Sequence, residues 1–193
     1  DSTLSSGDIV AGASNVPLAR FNLKAYGEDV KITQLNAKVS ATTTNVSLYA
    51  NGSQIGSSKN LNADTYGNFT LGSSLVIPAG QTVTLEVRAD LKDANGVNVA
   101  TGTQVVATVQ GVSGNAQGMS SGMILSSTVP AAPQLGVNLT VVGAGLTVAR
   151  NSAVGNSSAM PNENNKVVGS FVLQANSSEA QRITGMKITF GGT

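Results

Sequence analysis

Apolar and polar residues alternate singly along most of this chain, and no stretch holds an apolar stripe at helical spacing over three turns. Ala19, Phe21, Leu23 and Ala25 fall on one side of a strand, with Arg20, Asn22 and Lys24 on the other. Val30 and Ile32 continue the pattern, but the next apolar positions are Leu35, Ala37 and Val39. The step from Ile32 to Leu35 breaks the phase, as a β-bulge or a strand changing sheets requires. Val46, Leu48 and Ala50 predict a further strand ending at Asn51-Gly52, a dipeptide that accepts the positive φ angles of a type I′ hairpin turn. Gln54 to Gly56 then returns antiparallel. Phe69 with Leu71 predicts a short strand, and Leu75-Val76-Ile77-Pro78-Ala79-Gly80 a strand end and turn. Val83, Leu85, Val87, Ala89 and Leu91 give the cleanest alternation; Val105, Ala107 and Val109 follow, with Met123 to Leu125 expected as a last strand. Short strands at intervals of roughly 8–12 residues with turn signals between them predict a β-sandwich.

The opening pattern is written a second time. Phe171, Leu173 and Ala175 repeat the spacing of Phe21, Leu23 and Ala25, and Ile183-Thr184-Gly185-Met186 repeats Ile32-Thr33-Gln34-Leu35 with the same phase break. Shared irregularity marks a true internal repeat. Residues 1–130 are therefore expected to form one sandwich repeat, 131–136 a Pro-containing linker stiffened by Pro130 and Pro133, and 137–193 the first part of a second repeat. In that partial copy Val137 to Val142 and Leu146 to Ala149 read as strands. Half a sandwich leaves an apolar face and unpaired edges that something must cover.

Composition narrows the function classes. Of 193 residues 40% are apolar, enough for a core, while only 11% are charged against a usual figure of roughly 25%. Net charge is +1 with no basic run, and there are four Phe, three Tyr and no Trp, so neither electrostatic nor stacking recognition of nucleic acid is expected. The chain has no Cys, which excludes disulfides and thiolate metal sites. No residue between Asp93 and Arg150 is charged, yet polar residues interrupt every apolar run too early for a membrane span. That stretch reads either as polar-neutral strands and loops or as a surface buried between subunits. Asp1 opens without a signal peptide, as expected of a mature or trimmed chain.

Several motifs resemble chemistry. Gly118-Met119-Ser120-Ser121-Gly122 fits the nucleophile elbow, but the chain has no His to take the serine proton. Val141-Val142-Gly143-Ala144-Gly145-Leu146 resembles a dinucleotide fingerprint, but Val148 stands where a small residue is needed, and Asn151, Ser152, Gly155, Asn156 and Ser157 follow in place of a helix. No catalytic residues are assigned. Asp90, Asp93 and Asn95 are the candidate calcium ligands, since they offer hard oxygen donors; an Asp/Asn-Gly turn accounts for the same residues. Glu28 with Asp29, and Glu163 amid Asn162, Asn164 and Asn165, are lesser candidates. Asn-x-Ser/Thr sequons begin at Asn45, Asn51, Asn68, Asn138, Asn156 and Asn176, a small excess over chance in so Asn- and Ser-rich a chain that decides nothing about glycosylation. Tyr26, Tyr49 and Tyr66 are the aromatic residues available for a sugar platform.

The run from Ile77 to Leu91, Ile-Pro-Ala-Gly-Gln-Thr-Val-Thr-Leu-Glu-Val-Arg-Ala-Asp-Leu, resembles a recurrent element of tandem Ig-like β-sandwich repeats in large bacterial extracellular surface proteins. Phe21-Asn22-Leu23-Lys24-Ala25 followed by Glu28 to Leu35 resembles the opening of the same repeat. The resemblance implies an all-β, Ig-like antiparallel sandwich followed by a partial second one, at the cell surface, with a structural role as in surface-layer, fibre or adhesin proteins. It carries no catalytic residues. The expected function is a structural subunit of a surface layer or filament whose partners are copies of itself or neighbouring repeats. The alternative is an adhesin or carbohydrate-binding module.

Overall fold

The computed structural model describes residues 3–143, 145–155, 160, 162–175 and 180–189. The chain is all-β, and its contacts divide it into two units, 1–143 and 144–193. The first unit contains β1 (Gly7–Val10), β2 (Val16–Lys24), β3 (Val30–Val39), β4 (Thr43–Ala50), β5 (Ser53–Leu61), β6 (Gly67–Ile77) and β7 (Thr82–Asp90). It continues with β8 (Gln104–Val105), β9 (Ala107–Gln110), β10 (Ala116–Gly118), β11 (Gln134–Leu135) and β12 (Leu139–Val142).

Two antiparallel sheets make the sandwich. One has the order β2-β7-β4-β5; in the other β3 pairs with β6 along one edge and with β10 and β9 along the opposite edge, and β11 extends β9. The alternation of β7 places Val83, Leu85, Val87 and Ala89 in the core, where they meet Ile32, Leu35, Ala37 and Val39 of β3 in one apolar cluster. At the phase break Ile32 pairs with Leu75 but Gln34 pairs with Thr70, so β6 bulges through residues 71–74. Gly72, at φ +57°, turns inside that bulge, and the Ser74 hydroxyl donates to Leu71 O at 2.6 Å. Thr33, left without a partner on β6, donates its N–H to Asn115 O at 2.8 Å on the other edge. The Asn51-Gly52 turn joins β4 to β5, with φ of 46° and 84°.

A small third sheet, β1-β12-β8, combines a parallel pair, β1 with β12, and an antiparallel one. It corrects the expected domain bounds. Residues 131–136 are not a free linker, because β11 lies within them and pairs with β9. Nor does the second unit begin at 137, since Leu139 and Val141 of β12 are buried in the first core. Their apolar face had to be buried somewhere, and β1 and β8 offered the nearest unpaired edges. Met123 to Leu125 is no strand either. Ile124 makes one isolated bridge to Gln117, and Met123 and Ile124 are 70% and 64% exposed.

The second unit holds one antiparallel hairpin, β13 (Leu146–Arg150) with β14 (Phe171–Ala175). Residues 180–189 form no ladder, so the repeated break between Ile183 and Met186 has no register to test it. Asp1, Ala144, Asn156, Ser157 and Asn176, named in the sequence reading, lie outside the described residues.

Candidate functional site

The sandwich is closed along one side, where β5 adjoins β6, and open along the other, where β2 is the last strand of its sheet. A crevice of about 370 Å³ opens there, lined by Phe21, Leu23, Ile32, Leu35, Leu85 and Val109 with Pro130 and Gln134 at its border. Phe21 and Leu23 alternate inward as the sequence requires, but they are only half-buried because this crevice leaves them in contact with solvent. Near the start of β2 the edge is covered. Gly136 donates its N–H to Ala107 O at 2.8 Å, and a Cβ on Gly136 would stand 2.5 Å from the Ala19 Cβ and 3.2 Å from Leu18 O. Only glycine lets the chain pass so close to two strands.

The second unit has a matching groove of about 490 Å³, lined by Leu146, Val148, Phe171, Leu173, Ile183 and Met186 among others. Phe171, Leu173, Ile183 and Met186 match Phe21, Leu23, Ile32 and Leu35 in spacing along the chain, and each set lines a hollow. The two sets differ in cover. Ile32 and Leu35 are 0% and 1% exposed, whereas Ile183 and Met186 are 45% and 59% exposed.

Beside the crevice, segment 129–130 is held by Asn115. Its buried side chain donates Nδ2 to Gln34 O at 3.0 Å and to Val129 O at 2.6 Å, and its Oδ1 accepts from Val129 N at 3.0 Å. A Cβ on Gly111 would stand 2.5 Å from Pro130 O, so that segment lies directly on the β9 turn. Sequence reading missed Asn115, since a lone Asn in a Gly/Ser-rich stretch carries no signal of its own.

The residues singled out for chemistry are scattered. Asp90 Oδ1 accepts from Asn15 N and Oδ2 from the Asn45 side chain, both at 2.8 Å. Asp93 folds onto its own loop, its Oδ1 accepting from Asn95 N and Val97 N at 2.8 Å. Asn95 thus enters as a backbone donor to Asp93, and no three His, Cys, Asp or Glu side chains gather among the described residues. Glu163 accepts from Met160 N and pairs with Lys166 at 3.1 Å each. Glu28 accepts from Ser120 N and Ser121 N at 2.9 Å and from the Ser121 hydroxyl at 2.8 Å. The Ser121 backbone bond, then its hydroxyl, then the Ser120 bond hold the Glu28 carboxyl below the usual glutamate range. The serines of the Gly118 to Gly122 motif are therefore a latch for Glu28. Asp29 adds a bond from Ala79 N at 2.8 Å and accepts Met119 N on its carbonyl.

Each tyrosine has a cation over its ring: Lys24 at 5.2 Å from Tyr26, Arg88 at 4.6 Å from Tyr49 and Lys38 at 5.3 Å from Tyr66. Tyr26 alone is widely exposed, at 77%, against 38% for Tyr66.

No helix among the described residues is long and apolar enough to cross a membrane. Comparison with family models, with curated proteins and with solved structures returned no match.

Proposed function

We propose that this chain is a structural subunit of an extracellular assembly, a surface layer or a filament, in which Ig-like β-sandwich repeats hold one another by packing and strand complementation. The observation that carries this reading is the open groove of the second unit, where Ile183 and Met186 stand exposed while their counterparts by spacing, Ile32 and Leu35, are buried in the first core. Apolar side chains exposed at this density find cover in another polypeptide. Low charge, absence of His and Cys, and the resemblance of the 77–91 run to surface-protein repeats support a non-enzymatic, cell-surface role. Sedimentation and electron microscopy of the whole chain test it: concentration-dependent assembly into ordered arrays or fibres is expected, and a monomer that persists at high concentration overturns it.

A second reading, a carbohydrate-binding module, rests on Tyr26, which borders an open hollow with Glu28, Ser120 and Ser121. Selective binding on a glycan array, lost in Tyr26→Ala, is its test.

A further inference from the structure

The two copies of the repeat differ at one edge, and the difference says what the first copy receives. In the first unit Asn51 N donates to Thr84 O at 2.9 Å, so the even residues of β7 turn their backbone toward β4 and the odd ones toward β2; Phe21, Leu23 and Ala19, the register partners of Leu85, Val83 and Val87, therefore turn their backbone toward β7. The backbone of Asn22 and Lys24 therefore faces the opposite edge, where no strand pairs with β2 among the described residues. In the second unit the parity is reversed. Ser170, the equivalent of Arg20, accepts from Asn151 N at 2.8 Å, and the Thr147 hydroxyl donates to the carbonyl of Gln174, the equivalent of Lys24, at 3.2 Å. So β13 occupies on β14 the very edge that is empty on β2. It also lends Leu146 and Val148 to the groove beside Phe171 and Leu173. The 370 Å³ crevice of the first unit lies beside Phe21 and Leu23, and no apolar side chain of an added edge strand is among those that line it.

We propose that the open edge of β2 and its crevice receive an antiparallel strand of β13's chemistry, apolar residues at alternate positions, supplied by another repeat of this kind. The inference rests on the assembly reading and fixes its geometry. The register follows from β13 on β14, where Ala149 pairs with Val172 and Thr147 with Gln174. Transferred to β2, the incoming Ala149 position lies opposite Asn22 and the Thr147 position opposite Lys24. Such a strand gains ladder bonds from the edge while its Leu and Val fill the crevice, as in strand addition generally.

The chain has no cysteine, so disulfide trapping reads the register directly. The probes are synthetic peptides of residues 145–151 with cysteine at position 149 or 147, offered in a glutathione redox buffer to the full chain carrying Asn22→Cys or Lys24→Cys. Unchanged circular dichroism and melting establish that each variant is folded. Trapping of 22 with 149 and of 24 with 147, at least tenfold above the crossed combinations, is expected. Equal trapping in all four combinations, or in none, overturns the inference. Sedimentation of the parent chain separates the two readings: assembly without register-specific trapping defeats the strand slot alone, and trapping by a chain that stays monomeric defeats the assembly reading alone.

Discussion

Arg20 donates from Nε to the Glu86 carboxylate at 2.6 Å, across the register pair that joins β2 to β7. Glu86 also accepts from Arg88 Nε, and the Arg88 guanidinium lies over the ring of Tyr49 on β4. One nearly buried carboxylate thus ties three adjacent strands on the outer face of the sheet. Replacing it leaves two guanidinium groups facing each other. Glu86→Ala is expected to lower stability by about 1–3 kcal/mol, and Arg20→Ala by about half as much, since Arg20 is partly solvated. Urea unfolding of the two variants gives both numbers.

Asn115 bonds backbone groups from three separate segments and is fully buried. Asn115→Ala strands the Gln34 carbonyl and both polar groups of Val129 without partners. A loss of about 2–4 kcal/mol is expected, well above a surface substitution. Asn115→Asp places a carboxylate against two carbonyl oxygens and costs more. Chemical denaturation tests the order.

The Glu28 latch predicts an acid-sensitive loop. Because its folded pKa lies below the unfolded one, its contribution is complete at neutral pH. It begins to fall as pH drops through the ordinary glutamate value and is gone below the folded one. Protection of the Ser120 and Ser121 amides, taken relative to the intrinsic exchange rate at each pH, should fall in that acid window while the core, reported by the amides of Leu85 and Val87, stays protected. Glu28→Gln should show the lowered protection already at neutral pH. Slow exchange of both serines in that variant would count against the latch.

Phe69 and Phe171 offer a matched contrast. Phe69 is 1% exposed, and Phe69→Ala opens a cavity expected to cost about 3–5 kcal/mol. Phe171 is 58% exposed, so Phe171→Ser should leave unfolding of the first unit within about 0.5 kcal/mol of the parent. It should still lower the binding of an apolar dye and the extent of self-association. Equal destabilisation by both changes would show that the second groove is covered within the chain.

Calcium removal is predicted to change nothing. Asp90 and Asp93 are each engaged by nitrogen donors in separate places. Melting in chelator and in added calcium should coincide, whereas Asp93→Ala should cost about 1 kcal/mol by freeing the N–H groups of Asn95 and Val97. A melting point that rises with calcium would restore Asp90, Asp93 and Asn95 as ligands.

Much of the sandwich was legible in the chain because its core strands obey local rules. Alternation alone placed Val83 to Leu91 inside, Asn51-Gly52 declared its turn, and the break between Ile32 and Leu35 announced a bulge. Local rules fail where the partner is remote. Nothing within Val137 to Val142 tells that it pairs with Gly7 to Val10, so the boundary between units moved past it. Met123 to Leu125 has the composition of a strand, but it meets β10 in a single bridge, Ile124 with Gln117, too short to make a ladder. The crevice was illegible for the same reason, since it depends on which edge of β2 stays open. Only the pairing of β2 with β7 on one edge, and with no strand on the other among the described residues, revealed it.

The parallel pairing of β1 with β12 has a mechanical consequence. Gly7, Asp8, Ile9 and Val10 lie beside Leu139, Thr140, Val141 and Val142 in order. A pull applied ahead of Gly7 and beyond Val142 acts on opposite ends of two strands that run the same way. The rungs are then loaded in shear, all together, and cannot be unzipped one by one. The first unit is clasped at the points where a tensile load would enter and leave it.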